Sequence, residues 1–165
     1  MGKSKIEWCD RTWNPVTGCT KFSDGCLNCY AERMHKRLEH IKGSGYDDGQ
    51  PHFSIRLHPE RLEEPLKWKK PQRVFVCSMG DLFHEAVHDS WIRDVFHIMD
   101  NARQHTFILL TKRPKRAKWF LGYDRIDMAK DYPNIWLGVT VENQQAADER
   151  IPLLLQTPAA KRFLS

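Results

Sequence analysis

Thr106-Phe-Ile-Leu-Leu-Thr111, followed by Lys112-Arg113-Pro114, decides the fold class. The run is apolar and β-branched without polar alternation, as strands buried on both faces of a parallel sheet are. Helical spacing lies on either side of it. In Asp89 to Gln104 the apolar residues Trp91, Ile92, Val95, Phe96, Ile98 and Met99 recur at three- and four-residue steps, behind an Asp-Ser pair suited to capping. Pro114 to Leu121 forms a second helical segment. Further out, Arg73 to Ser78, Ile135 to Val141 and Arg162 to Ser165 have the strand character again. Thr12 to Val16 supplies a first strand, Cys29 to Ile41 a helix, and Ala146 to Leu155 a helix interrupted by Pro152. Alternation of this kind implies βαβ units and a parallel sheet.

Five strands and four crossovers do not close an eight-stranded barrel. An α/β fold is expected, an open curved sheet or partial (β/α) barrel with its reactive loops at the C-terminal ends of the strands. The last run, Lys161-Arg-Phe-Leu-Ser165, stops in mid-strand, so the barrel is expected to be incomplete at the C-terminus. A protein partner or a further segment would complete it. Lys42 to Gln72 breaks the rhythm, with turns at Gly43-Ser44-Gly45 and Asp47-Asp48-Gly49 and a short helix near Pro59 to Leu66. It reads as an irregular insertion within one domain spanning 1–165.

Composition agrees. Of 165 residues, 41% are hydrophobic and 28% charged, which suits a folded chain able to bury a core without disulfides. No stretch approaches the roughly 20 apolar residues of a membrane span, and the start Met-Gly-Lys-Ser-Lys-Ile-Glu-Trp lacks a signal peptide's apolar core. A cytoplasmic protein without membrane contact is expected. The net charge of +5, with mild clusters at Lys67 to Lys70 and Lys112 to Lys118, is compatible with a polyanionic partner such as nucleic acid.

Three of the five cysteines fall within eleven residues, Cys19-Thr-Lys-Phe-Ser-Asp-Gly-Cys26-Leu-Asn-Cys29. This pattern suits metal binding in a reducing compartment better than a disulfide framework. Gly18 and Gly25 each precede a cysteine, where glycine lets the backbone fold tightly around a metal centre. The Cys-x-x-Cys pair is a spacing at which two thiolates converge on one site. Three thiolates would hold three corners of a four-iron cube and leave one iron open. The alternative is a closed zinc site with a fourth ligand such as Cys9, His35 or His40, in a nucleic-acid-binding module without catalysis. Cys77, in the run Val74-Phe-Val-Cys77, reads as a core thiol.

Four motifs in order carry a resemblance: Trp13 to Cys19 continuing through Cys26-Leu-Asn-Cys29-Tyr-Ala-Glu32, Ser78-Met-Gly-Asp-Leu-Phe83, Leu110-Thr-Lys-Arg-Pro114, and Leu137-Gly-Val-Thr-Val-Glu-Asn143. The chain resembles the phage and prophage proteins called three-cysteine-motif proteins, regarded as relatives of the radical S-adenosylmethionine enzymes. The resemblance implies a radical S-adenosylmethionine-like partial barrel in the cytoplasm of a bacterial host. It also implies a [4Fe–4S] cluster on Cys19, Cys26 and Cys29, with S-adenosylmethionine on the open iron. One-electron reduction by an electron donor would then yield a 5′-deoxyadenosyl radical. Six residues separate Cys19 from Cys26, where the superfamily usually has three. The substrate class expected is a nucleic acid base or nucleotide. A non-catalytic cluster-binding subunit is a further alternative.

The same likeness places Ser78 to Asp81 where the superfamily has a turn receiving the cofactor's amino group. Asp81 would accept the ammonium and Gly80 would admit the backbone, unless Asp81 serves only as the N-cap of a helix after it. Thr111 and Lys112 close one strand, and Glu142 and Asn143 come after the next, so all four should emerge on the cluster's face. Lys112 would meet a carboxylate or phosphate, and Glu142 or Asn143 the ribose hydroxyls. Tyr30 either covers the cluster or packs in the core. His84 and His88 are spaced to share a helix face near Asp81.

Overall fold

A computed structural model describes residues 6–123 and 128–165; Met1 to Lys5, the front of the N-terminal stretch that has no apolar core, lie outside the described residues. In chain order the elements are β1 (Arg11–Trp13), β2 (Val16–Thr17), α1 (Tyr30–Leu38), β3 (Arg56–Leu57), α2 (Pro59–Leu62), β4 (Arg73–Val76), α3 (Asp89–Asn101), β5 (Thr106–Thr111), α4 (Pro114–Tyr123), α5 (Met128–Asp131), β6 (Ile135–Val139), α6 (Gln144–Leu155) and β7 (Lys161–Leu164). Five strands form one parallel sheet in the order β1-β4-β5-β6-β7, and β2 pairs antiparallel with β3 in a second. The architecture is mixed α/β, and among the described residues its sheet does not close on itself. Among the described residues no helix is long and apolar enough to cross a membrane.

The continuous apolar runs become strands because both faces of the sheet are covered. Phe107, Ile108 and Leu109 are buried in succession, so both side-chain directions of β5 meet protein. One face receives α3, whose Ile92, Val95, Phe96 and Met99 are buried at helical spacing, and Phe120 and Leu121 of α4 join the same core. Burying each such side chain contributes about 1.5–3 kcal/mol. His88 caps α3, its Nδ1 accepting from Ser90 N–H at 3.3 Å, while Asp89 pairs with Arg116. Neither residue of the Asp-Ser pair is therefore the cap. Pro152 lies inside α6. It is tolerated because Pro152 and Asp148, whose carbonyl loses its helical donor, both face solvent.

The expected first strand, Thr12 to Val16, is two. Pro15 has no N–H to give a ladder, and its carbonyl instead accepts from His58 N–H at 2.9 Å. Beyond it Val16 and Thr17 turn to the antiparallel pairing with Leu57 and Arg56. The segment 42–72 is thereby built into the structure as β3, α2 and a 3₁₀ turn at Glu64–Lys67. Trp13, fully buried, donates its indole N–H to the Arg61 carbonyl at 2.8 Å. Cys19 N–H bonds to Phe53 O at 3.1 Å.

Gly18 is the point of closest approach. Its φ is +83°, and a Cβ there would sit 1.9 Å from the Ser54 carbonyl oxygen. Gly43 has a similar φ of +77° but open space around it. Gly43→Ala should therefore cost about 1–2 kcal/mol, the left-handed penalty alone. Gly18→Ala adds a backbone clash and should cost about 3 kcal/mol or more. Urea unfolding of the two variants checks this; equal losses would mean that the segment around Ser54 yields freely and does not brace the turn.

Candidate functional site

The loop carrying the cysteines leaves β2 at Gly18, makes a 3₁₀ turn at Asp24–Cys26, and enters α1 with Cys29 in the N-cap position. It lies over the C-terminal ends of the parallel strands. Gly18 N–H donates to Met79 O at 2.8 Å, and Gly18 bridges to Gly80 in parallel register. A Cβ on Gly80 would meet Gly18 O at 2.8 Å, so only glycine lets the two turns touch. Between them opens a cavity of about 270 Å³ whose wall includes Cys19, Cys26, Cys29, Ser78, Gly80, Asp81, Lys112 and Arg113. Cys77 and Thr140 also border it. Tyr30 does too, and at 60 % exposure it stands at the rim and not in the core.

Arg113 ties the loop to the sheet. Its guanidinium is buried, and its Nε donates to Glu85 at 2.8 Å. Nη1 reaches Cys19 Sγ and Asp81 Oδ2, both at 3.4 Å, and Nη2 reaches the carbonyl and hydroxyl oxygens of Thr20 at 3.2 Å. Asp81 is equally engaged. It accepts from Thr111 Oγ1 at 2.8 Å, from Phe83 N–H at 3.0 Å and from Lys112 N–H at 3.1 Å. Thr111 thus acts through Asp81 and does not border the cavity. His84 Nδ1 accepts from Ala86 N–H at 3.0 Å, so its Nε2 carries the proton toward Thr20 Oγ1, 2.9 Å away. His84 sits in the turn ahead of α3 and His88 caps that helix, so the two share no helix face.

The thiols differ. Burial pushes Cys19 up, Arg113 pulls it down, and Asp81 and Cys26 push it up again, leaving it above the ordinary thiol value. Burial also pushes Cys26 up. Backbone hydrogen bonds from Phe22 and Ser23, the charge of Lys112 and the Ser23 hydroxyl outweigh that, so Cys26 ends below the ordinary value. Cys77 is fully enclosed, far above the ordinary value through desolvation, and held at φ +56° at the end of β4. Asn14, buried beside it, accepts from Ser78 Oγ at 3.1 Å and Met79 N–H at 3.0 Å, which fixes the turn that carries Gly80 and Asp81.

Glu142 and Asn143 approach the loop from its far side. Glu142 bonds the Ser23 hydroxyl and pairs with buried Arg150 at 2.8 Å, and a Cβ on Gly25 would meet its carboxyl carbon at 3.0 Å. Asn143 caps α6, accepting from Ala146 N–H at 2.8 Å. Neither borders the cysteine cavity; both line a neighbouring hollow with Phe22, Ser23 and Asp24. Arg113, Arg150 and Asn14 are the organising residues that sequence reasoning did not single out. The one signal for them was their place inside or just beyond the quoted motifs.

Among the described residues the trio of ligating atoms within 4.8 Å of one another is His35, Glu39 and His52, not the cysteines. Arg56 Nη1 lies 2.7 Å from His35 Nε2. A guanidinium only donates, so Nε2 must accept and the ring proton sits on Nδ1, facing Glu39 Oε2 at 3.4 Å. A metal at Nδ1 would need the opposite tautomer. The trio is a brace: His52 shares the same Glu39 oxygen at 2.7 Å, and Tyr46, His52 and Phe53 surround the His35 ring at 5.1–5.5 Å.

Glu142 makes the loop's anchorage pH-dependent. Burial pushes its carboxyl up, but Ser23, Arg150 and its own backbone N–H together bring it from 4.5 down to about 2. A depressed folded value stabilises the protein fully above the unfolded value, and that contribution is lost as pH falls from about 4.5 toward 2. Glu142→Gln should lower the urea midpoint at pH 6 and shrink the loss of stability between pH 6 and pH 3. An unchanged acid dependence in the variant would show that the Ser23–Glu142–Arg150 link does not hold the loop.

Neither a curated protein nor a solved structure matches the chain. A family model matches residues 3–165, which takes in the cysteine loop, every strand of the parallel sheet and both walls of the cavity. The chain therefore belongs to the family described as Protein of unknown function (DUF5131).

Proposed function

We propose that the chain is a radical S-adenosylmethionine-like enzyme, or the cluster-binding part of one, built on a partial (β/α) barrel. The observation that carries this reading is the convergence of three cysteines with Ser78, Gly80, Asp81 and Lys112 on one cavity at the C-terminal ends of parallel strands. The likeness of its four motifs to the phage three-cysteine-motif proteins supports the same reading.

The donor set fits a polynuclear cluster better than a single ion. Zinc–thiolate bonds of about 2.3 Å draw tetrahedral sulfurs to about 3.8 Å of one another, whereas these three sulfurs do not gather within 4.8 Å. A cluster spreads its thiolates over separate irons. Cys9 lines the hollow at the opposite end of the sheet, ahead of β1, and His35 is committed to Arg56, which also removes two of the candidates for closing a zinc site.

Cys19, Cys26 and Cys29 would hold the iron. When bound, a [4Fe–4S] cluster supplies the electron that cleaves S-adenosylmethionine. The chain's own residues do the positioning. Gly80 leaves the cavity floor free of a side chain, so a ligand's amino acid end can lie against backbone. Asp81, held by Thr111 and Arg113, presents a carboxylate that cannot swing, and Lys112 offers a cation to a carboxylate or phosphate. Tyr30 at the rim excludes water from one side. Thr111, Glu142 and Asn143 act as braces behind these groups. Among the described residues β7 pairs with β6 alone, and a protein partner on its other side would complete the barrel. A bacterial cytoplasm, an electron donor and a nucleic acid base or nucleotide as substrate belong to this reading.

Anaerobic reconstitution followed by metal analysis and electron paramagnetic resonance is the test. Cys19→Ala, Cys26→Ala and Cys29→Ala should each lose most of the iron and the cluster signal, while Cys9→Ala and Cys77→Ala keep both. Full iron retention in Cys26→Ala, or stoichiometric zinc with no iron in the unaltered chain, would remove the proposal.

A further inference from the structure

The cysteine cavity does not end at its own rim. Lys112 and Arg113 wall it on one side and wall a second hollow of about 150 Å³ on the other. That hollow shares Lys115 and Leu153 with a third, of about 560 Å³, at the outer end of α4. Together they make one track from the thiols across the surface of α4.

Aromatic faces and cations alternate along it. Phe22, 52 % exposed, lies under two guanidiniums, Arg113 at 5.1 Å and Arg150 at 5.7 Å. One end of α4 carries Trp119 and Tyr123, a helical turn apart, stacked with centroids 5.4 Å apart and planes 17° from parallel. They are 48 % and 70 % exposed. The core takes Ala117, Phe120 and Leu121 of that helix, so the stacked pair belongs to the opposite, outward side.

Charge selects the ligand. α4 holds three cations and no carboxylate. Arg116 pairs with Asp89 and lies over the Trp119 ring, 5.1 Å from its centroid, so the stack meets a ligand from its Tyr123 side, whereas Lys112, Lys115 and Lys118 have no carboxylate partner among the described residues, Lys118 reaching the Gln156 side-chain oxygen. Of the track's two acidic residues, Glu85 is paired with Arg113, and Glu149 accepts from Gln145. Lysines without a carboxylate partner, spaced beside exposed rings, match a strand whose phosphates and bases alternate. A duplex hides its base faces and would leave the ring pair without a role.

We infer that this track binds a single-stranded nucleic acid, with a base on the Trp119–Tyr123 stack and phosphates on Lys115 and Lys118, and that it leads the strand past Phe22 and Lys112 to the cysteine cavity. Strand binding stands on the track alone; that the cavity acts on a base of the bound strand rests on the proposed radical chemistry.

The test is fluorescence anisotropy of short labelled oligonucleotides with the full chain, using single-stranded DNA, single-stranded RNA and the matching duplex across a salt series. Single strands should bind more tightly than duplex, the better of the two identifying the natural strand. Trp119→Ala, at a half-exposed site, should weaken binding about tenfold, as expected for one lost base–aromatic stack. Lys115→Ala with Lys118→Ala should weaken it and flatten the salt slope by about 1.4, two phosphate contacts at about 0.7 each. Tyr123→Ala repeats the stacking test should Trp119→Ala fail to fold. Lys69→Ala with Lys70→Ala, beside the basic hollow at the opposite end of the sheet, is the control and should leave binding within about twofold. Unchanged binding in both track variants, equal or tighter duplex binding, or a larger loss in the control pair would overturn the inference. Iron content measured on the same preparations separates the two readings. No binding of single strands by the unaltered chain with its iron intact rejects the track, and strand binding without iron uptake rejects the radical reading alone.

Discussion

A buried guanidinium must find acceptors for its N–H groups or lose several kcal/mol of solvation, and Arg113 finds five contacts for five N–H bonds. Its partners come from separate segments: Asp81 and Glu85 from the turn after β4, Thr20 and Cys19 from the cysteine loop. None of these links is part of a strand ladder, so without Arg113 the near side of the loop would be left with the Gly18–Gly80 contact and the Thr20–His84 bond. Lysine could not replace it, since an ammonium offers three donors from one point and these acceptors surround a plane. The cavity's shape depends on this one side chain, because it fixes how far Cys19 stands from Asp81.

The far side of the loop repeats the device. Arg150, buried on α6, donates to the Thr140 carbonyl at 2.7 Å and to Glu142 at 2.8 Å, and Glu142 passes the link on to Ser23. Phe22, between the two arms, receives both guanidiniums on its ring. The loop is thus gripped at Thr20 from β5 and at Ser23 from β6, with the 42–58 segment behind it through Phe53 and the His35 cage. Segments that share so little hydrophobic contact with the main core hold position through charged hydrogen bonds, which are stronger than neutral ones.

The parallel strands were legible because each is a short apolar run with nothing alternating in it, and Thr106–Thr111 keeps the boundaries that its residues suggest. Helix α3 was legible from period alone. The split at Pro15 was not, because the partner that draws Val16 and Thr17 away lies some forty residues on, at Arg56 and Leu57. The grouping of Cys19, Cys26 and Cys29 with Asp81 and Lys112 came from the rule that parallel strands present their ends on one side. Glu142 and Asn143 obey the same rule and reach the same end of the sheet, but their side chains are drawn to Ser23, Arg150 and the α6 cap, and strand direction carries no information about that. Arg113 and Arg150 were the least legible, since a basic residue in a basic chain reads as solvated until its burial is seen.

Charge balance gives the cavity its chemical character. Arg113 divides its charge among Asp81, Glu85 and Cys19, and Lys112 adds a second cation to the wall of the cavity that the three cysteines share. Cys26, nearest to help from Lys112 and from backbone donors, falls below the ordinary thiol value, while Cys19 is held above it by burial and by Asp81 and Cys26 beside it. Like charges gathered in a desolvated site oppose one another's ionisation, and Cys26 is among the groups that hold Cys19 up. Under the proposed reading Cys19, Cys26 and Cys29 would give up their protons on holding a metal, whose charge would favour their thiolates.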